Sequence, residues 1–290
     1  MSDRDIHDYV SSISSMTQQE LITAVAHCAQ QRLSGADADA FESFCCQYFD
    51  CFSLEDLEGR QLDDVFGMAY NCWLFLALRE VGAPKATLLN PVLDEDGWVS
   101  NHTALLVLQS NMPFLVDSIR MELTRRNIAI NTIKSTVVKV RRNNSGKLLS
   151  LGSDESGCDE AFIYIEIGKN TDADEISGLR QSMLDVLADV AVVVTDYSAI
   201  LTELNSVKQH LGEVAPNLMS GMVQESCDFL QWLGANHFTF LGYSEHAFVT
   251  KEAGRCLEEL TKSRKGLFKQ HNQVKPSMEI DSFNAGMARF

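Results

Sequence analysis

Helix-type spacing of apolar residues dominates the chain up to residue 84. Thr17 and Glu20 have the spacing of a capping box, which predicts a helix opening there and running to about Arg32. Apolar residues then recur every three or four positions over residues 37–49 and 62–81, and Gly82 with Pro84 is a usual helix end. The pattern therefore predicts a helical subdomain over residues 1–84.

Strand-like and helix-like patterns alternate over residues 85–197. Four segments have strand character, and two helix-like segments lie between them. The predicted strands are residues 103–109, 128–140, 161–167 and 190–194, and the predicted helices are residues 114–126 and a segment opened by Asp172. A polar connection over residues 141–160 carries turn signals for a hairpin. This βαββαβ order predicts an α+β fold with a ferredoxin-like domain.

The remainder of the chain predicts a helical connector over residues 198–236 and a further α/β segment over residues 237–290. The connector contains two helical patterns separated by a break at residues 212–217. Beyond it, residues 238–243 and 247–249 are strand-like and residues 253–261 helix-like, and the tail closes no compact domain. We therefore expect the last segment to be truncated.

Charge and hydropathy exclude two classes of partner. The formal net charge of −16 argues against nucleic acid, which requires a concentrated basic face. The basic clusters at Arg141-Arg142 and at residues 262–265 are short and predict solvated surface. No apolar run approaches the roughly 18 residues that a membrane-spanning helix needs, so no membrane partner is expected.

The eight cysteines predict reduced thiols, since the chain opens on a polar run with no signal peptide. Cys28, Cys45, Cys46 and Cys72 lie among apolar residues and are expected in the core of a cytoplasmic protein. No cysteine or histidine set has the spacing of a zinc site. We therefore expect no metal site.

Several ordered motifs carry a resemblance to a known family. They are NPV at residues 90–92, DEDGW at 94–98, HTALL at 102–106, MPFLVDS at 112–118, VLADV at 186–190 and FLQWLGANHFTFLGY at 229–243. Together they resemble the N-terminal region of the large-type bacterial NAD-dependent glutamate dehydrogenases, over roughly residues 44–243. The resemblance implies ACT-like domains, with residues 237–290 as the start of a second one. It also implies a homo-oligomer and a catalytic domain downstream in the same chain.

The dehydrogenase chemistry itself is not expected in these residues. The family oxidises L-glutamate to 2-oxoglutarate and ammonium with NAD, and a dinucleotide fold normally shows a G-x-G-x-x-G turn between strand and helix. The glycines of this chain do not have that spacing. We therefore predict an inactive segment that binds no cofactor, with NAD belonging to the parent enzyme.

One candidate binding site follows from the resemblance, because ACT-like domains bind amino-acid effectors at the loop between the first strand and helix. Its residues would be Asn111, Met112, Pro113, Asp117 and Ser118. The alternative is structural: Asn111 caps the helix, Asp117 complements its dipole, and Phe114 is buried. Relatives often carry an acidic residue just before MPFLVDS, where this chain has Ser110-Asn111.

The sequence thus predicts a non-catalytic regulatory or assembly segment of an NAD-dependent glutamate dehydrogenase. Two other functions stay open. The chain could be a free-standing amino-acid-binding ACT-type sensor, or an oligomerisation scaffold that binds no ligand. Saturable binding of an amino acid separates the first of these from the second.

Overall fold

The computed structural model describes residues 13, 16–152, 157–214, 220–251, 254–270 and 277–279. The chain divides into two compact units, Met1–Ala188 and Asp189–Phe290. Both contain helices and strands, which confirms the predicted α+β class.

Three helices form one layer of the first unit: α1 (Gln18–Arg32), α2 (Gly35–Tyr48) and α3 (Leu62–Leu76). The predicted capping box is confirmed, since the Thr17 backbone N–H donates to Glu20 and the Glu20 N–H donates to the Thr17 hydroxyl. The prediction that α3 extends to residue 81 is wrong. After Leu76 the backbone turns to pair with a hairpin, where the Arg79 N–H donates to the Gly146 carbonyl at 3.0 Å.

Five antiparallel strands form the sheet of this unit. They are β1 (Lys85–Leu89), β2 (His102–Ser110), β3 (Ile130–Arg142), β4 (Leu148–Leu151) and β5 (Cys158–Gly168). The spatial order is β1-β2-β5-β3-β4, so β5 is central and pairs with β2 and β3 along almost its whole length. The three long strands and the β3–β4 hairpin are confirmed where they were predicted.

Helices cover the sheet on both faces. Phe162 and Tyr164 of β5 belong to the same core as the aromatic side chains of α2. Ile163 and Ile165 alternate with them and are equally buried, but they lie outside that core and therefore on the opposite face. This second face packs with α5 (Leu115–Arg125) and the first half of α6 (Ala173–Val214), both of which have buried apolar stripes. A short helix, α4 (Leu93–Asp96), lies in the β1–β2 connection.

The predicted fourth strand, residues 190–194, is wrong, because these residues lie inside the 42-residue helix α6. No glycine or proline interrupts the chain between Gly178 and Gly212, so nothing ends the helix that Asp172 begins. Leu187, Val190 and Val193 are buried at helical spacing. The place beside β2 belongs instead to β1, which comes earlier in the chain, so the predicted βαββαβ order is not observed.

The second unit combines helices with short strands. The predicted helix over residues 198–211 is the second half of α6, and the break predicted at residues 212–217 extends beyond the described residues. After it come α7 (Ser220–Trp232), a π-helical turn (Leu233–His237), β6 (Gly242–Tyr243), β7 (His246–Lys251), β8 (Gly254–Glu259), β9 (Lys265–Gly266) and β10 (Ser277–Glu279). The predicted helix over residues 253–261 is wrong, because β8 forms a ladder with β7. That pairing overrides a weak local helix preference.

Candidate functional site

The predicted loop lies at the surface, between the end of β2 and the start of α5. The Asn111 N–H donates to the Asp159 carbonyl oxygen at 2.9 Å, which extends the β2–β5 pairing by one residue. Asn111 and Pro113 are exposed, and Met112 is half-buried. The loop thus presents side chains to solvent and has a backbone fixed by the sheet.

The structural alternative for this loop is wrong in two respects. Phe114, and not Asn111, occupies the position before the first residue of α5, with left-handed backbone angles of φ 71° and ψ 1°. Its ring is 50% exposed, so it is not a core residue. Pro113 fixes the approach of the chain, and the turn into α5 is completed at Phe114.

Asp117 and Ser118 lie in the first turn of α5, where a carboxylate complements the helix dipole. The Ser118 N–H donates to the Phe114 carbonyl at 3.0 Å. Asp117 is exposed and lines a shallow depression on the outer side of the helix. The structure therefore brings all five predicted residues to one surface region.

A buried charge cluster lies next to this loop and was not predicted. Glu160, near the start of β5, accepts hydrogen bonds from Arg79 at 2.7 Å and from two nitrogens of Arg142 at 2.7 and 2.8 Å. All three side chains are less than 10% exposed. The prediction that Arg142 lies in solvated surface is therefore wrong.

The charge cluster joins three parts of the unit. Arg79 also donates to the Gln109 side-chain oxygen at 3.0 Å and to the Ser110 hydroxyl at 3.1 Å, at the end of β2 from which the loop emerges. Arg142 donates to the carbonyls of Leu76, at the end of α3, and of Gly146, in the hairpin turn. This cluster fixes the base of the candidate loop.

Burial raises the pKa of carboxyl and thiol groups alike, but the net shifts in the first unit have opposite signs. It would raise the pKa of Glu160, but hydrogen bonds and charge from Arg142 and Arg79 outweigh it and hold the pKa below its usual value. Cys45 and Cys72 have no such partners, and burial raises the pKa of Cys72 to about 12. These two cysteines are core residues as predicted, whereas Cys46 is exposed.

A groove lies at the opposite end of the sheet, where β5 leads into α6. It has a volume of about 430 Å³ and is lined by Asn127, Lys169, Asn170, Asp172 and Glu175, among others. Its polar side chains largely bind the protein itself, since Asp172 accepts from the N–H groups of Asp174 and Glu175. The groove is a second surface depression without a cluster of ligand-directed groups.

The described residues do not show the arrangement typical of a Rossmann dinucleotide site. In such a site the cofactor binds at the carboxyl ends of parallel strands, beside a glycine-rich turn into a helix. The sheet here is antiparallel, and the turn from β2 into α5 runs Asn111-Met112-Pro113-Phe114 without a glycine. Within the same described residues, no group of three histidine, cysteine, aspartate or glutamate side chains could hold a metal ion.

A search of the described helices for a membrane span finds none that is long and apolar enough. Even α6, with 42 residues, carries charged side chains throughout its length.

Comparison with known proteins gives matches in one family. A family model described as "Glutamate dehydrogenase, ACT1 domain" matches residues 44–183, from α2 into α6. The NAD-specific glutamate dehydrogenase of Pseudomonas aeruginosa is 34% identical over 256 residues, which are 86% of this chain and 15% of the relative. That of Halomonas elongata is 32% identical over 86% of this chain and 16% of the relative.

A more distant relative is the NAD-specific glutamate dehydrogenase of Mycobacterium tuberculosis, which is 30% identical over 148 residues. The chain spans only about a sixth of the length of the first two relatives. The ACT1 match and these two relatives agree with the motifs at residues 90–118 and 229–243. The chain is therefore similar to the N-terminal, ACT1-containing region of the large NAD-dependent glutamate dehydrogenases.

Proposed function

We propose that this chain is the non-catalytic regulatory or assembly segment of an NAD-dependent glutamate dehydrogenase. The parent reaction would convert L-glutamate, NAD and water into 2-oxoglutarate, ammonium and NADH, in the cytoplasm. The observation that carries the proposal is the ACT1 match over residues 44–183, in a chain that covers about a sixth of its relatives. The catalytic domain and the NAD site would lie elsewhere in the same polypeptide.

Two features of the described residues support a non-catalytic role. The sheet and its turns do not show the arrangement typical of a Rossmann dinucleotide site. Three charged groups buried inside the first unit, Arg79, Arg142 and Glu160, bind one another and the backbone. Groups paired in this way hold the fold together.

The test compares the 290-residue chain with the full-length parent enzyme. We expect the reading frame to continue beyond codon 290 into a catalytic domain, and we expect the purified parent to form NADH from L-glutamate and NAD. The 290-residue chain alone should form none under the same conditions. A frame that stops at codon 290, or NADH formation by the chain alone, would overturn the proposal.

Within this role, an amino-acid effector would bind at Asn111, Met112, Pro113, Asp117 and Ser118. The start of α5 favours a carboxylate group, and Asp117 offers a partner for an ammonium group. The test is calorimetry of the chain with L-glutamate and the other proteinogenic amino acids. Saturable heat that Asp117→Asn abolishes, and that the exposed α2 control Glu42→Gln retains, would support it.

The competing function is a scaffold without ligand. The exposure of Asn111, Pro113 and Asp117 favours it, because a specific site normally encloses much of its ligand. It predicts no heat with any amino acid, together with dimers or larger species in sedimentation experiments. An effector site predicts heat in calorimetry with an amino acid, whereas a scaffold without ligand predicts no heat and shows dimers or larger species in sedimentation.

A further inference from the structure

Two exposed apolar side chains lie on α5 or directly before it, one of them at a strained backbone position. Met121 is 72% exposed at the middle of the helix, and the Phe114 ring is 50% exposed at its start. Met121 lies on the solvent side of the helix, and Phe114 comes just before its first residue. The buried stripe of α5, with Leu115, Ile119 and Leu123, faces the opposite way.

The backbone at Phe114 makes this exposure costly. A left-handed conformation costs a residue with a side chain about 1–2 kcal/mol, and an exposed phenylalanine ring forgoes its hydrophobic gain. Such strain concentrates where a surface has a role in binding. Here it lies directly before the helix that carries Met121.

Charges on this face include one pair of opposite sign at equal spacing about Met121, together with Arg120 beside it. Asp117 lies four residues before Met121 and Arg125 four residues after it, so each is about 6 Å from Met121 along the helix axis. Both line the shallow depression on this side of α5, together with Met121. Glu122 holds the Arg125 guanidinium through two hydrogen bonds of 2.7 Å, while the side chain stays 68% exposed.

We infer that the outer face of α5 is a contact between two copies of this chain. Two antiparallel α5 helices would cross at Met121, with Asp117 of each copy next to Arg125 of the other. This inference rests on the assembly role in the proposed function and names its surface. A two-fold contact requires a self-complementary patch, and the equal spacing of opposite charges about Met121 is that property. The antiparallel arrangement also aligns the helix dipoles favourably.

The size of the contact sets its strength. With 11 residues, α5 is about 16 Å long, which is too short to bury the ~1,200 Å² of a stable interface by itself. The pairing is therefore a weak contact that contributes to a larger assembly. It is best detected by covalent trapping at high protein concentration.

The test uses cysteine variants of the 290-residue chain in which Cys46 and Cys158, two exposed cysteines, are serine. Met121→Cys, at the symmetry axis, should form a disulfide-linked dimer under mild oxidation. A mixture of Asp117→Cys and Arg125→Cys should cross-link as a heterodimer. Asp117→Cys alone should not, because the two copies of residue 117 would lie about 12 Å apart along the axis, beyond disulfide reach.

The control is Val137→Cys, an exposed position on β3. Equal cross-linking of Val137→Cys and Met121→Cys would mean random collision and would overturn the inference. A Met121→Lys variant separates the two proposals by sedimentation. If the chain dimerises and Met121→Lys raises the dissociation constant at least about tenfold, both stand. If Met121→Lys leaves the dissociation constant of the dimer unchanged, the α5 contact alone is overturned. If the natural 290-residue chain is a monomer, the assembly role is overturned.

Discussion

Glu160 is a carboxylate buried between two buried guanidinium groups, Arg79 and Arg142. Removing charges from water is costly, and the cost is recovered only when every hydrogen-bonding group has a partner. Glu160 meets that condition, with three hydrogen bonds from the two arginines. Both arginines depend on this single negative charge. The loss of Glu160 therefore affects the cluster more than the loss of either arginine.

We therefore expect Glu160→Gln to destabilise the chain more than Arg79→Met. The glutamine leaves two buried cations without a counter-charge and should cost about 3–5 kcal/mol of unfolding free energy. After Arg79→Met, Glu160 keeps both bonds from Arg142, and the loss should be roughly half as large. Urea unfolding followed by circular dichroism measures both values.

The exposed pair Arg32–Asp63 provides the control for this comparison. Arg32→Met should cost less than about 1 kcal/mol, because solvent screens such pairs. If Glu160→Gln also falls within that range, the cluster is not a structural element of the unit.

Residues of this kind mark the limit of what the sequence predicts. Arg142 follows Arg141 at the end of a strand, and nothing local separates the exposed arginine from the buried one. The difference arises from Glu160, 18 residues later, and from the Leu76 carbonyl, 66 residues earlier. Sequence patterns of apolar residues locate the core, but the burial of a charge depends on partners that only the fold brings together.

At the scale of elements, capping and stop signals were reliable, whereas the assignment of the fourth strand was wrong. The Thr17–Glu20 box and the Asp172 cap are confirmed, and the helix predicted to end at residue 126 ends at Arg125, two residues before Asn127 with φ 56°, because each of these signals acts within one turn. Residues 190–194 were predicted as the fourth strand of the unit, but they are helical, and the additional strand that pairs with β2 is Lys85–Leu89. A run rich in valine favours a strand by propensity, and in α6 the continuity of the helix overrides it.

Thr195→Pro tests that continuity directly. Thr195 lies in the interior of α6, where a proline removes one hydrogen bond and clashes with the preceding turn, at a cost of about 3 kcal/mol. Ala173→Pro is the matched control, since the first helical position tolerates proline. Thermal unfolding should show a large loss for the first variant and little for the second. Equal stability would mean that the helix ends before Thr195.

Glu122 connects the two helices on the second face of the sheet. It lies on α5 and accepts a hydrogen bond from the Ser182 hydroxyl on α6. Hydrogen bonds from Arg125, then from Ser182 and Arg126, lower its pKa to about 2 in spite of burial. Because the pKa is lower in the folded state, the ionised carboxylate stabilises the fold above its ordinary pKa of 4.5, and this stability is lost as the pH falls toward 2.

The variant Glu122→Gln should therefore be less stable than the natural chain near pH 7, by about 1–2 kcal/mol. The difference should shrink between about pH 4.5 and pH 2, where the natural carboxylate takes up its proton and the glutamine does not. Unfolding free energies at several pH values measure this, with Glu42→Gln as the surface control. A difference that stays constant over this range would contradict the role of Glu122.

At the scale of the whole molecule, the helical layer and the sheet of the first unit share one core. Phe162 of β5 lies 5.9–6.1 Å, ring centre to ring centre, from Phe44, Tyr48 and Phe75. Tyr164 is 5.9 Å from Phe52. The family match begins at residue 44, inside α2, and continues through the sheet. The apolar patterns predicted both layers, but not that they are two sides of a single core.

This shared core predicts that residues 1–84 cannot be removed without unfolding the sheet. A chain of residues 85–290 would expose Phe162, Tyr164 and the apolar side chains of β2 on one whole face, which at about 1.5–3 kcal/mol for each large side chain exceeds the stability of an ordinary domain. We expect the truncated chain to bind a hydrophobic dye and to lose its near-ultraviolet circular dichroism. In the 290-residue chain, the helical layer and the sheet should unfold in one transition, so that Phe162→Ala lowers the midpoints of far-ultraviolet dichroism and of tryptophan fluorescence together. A truncated chain that keeps a sharp unfolding transition would mean that the helical layer is a separate domain, and the ACT1 region would then begin functionally at the sheet.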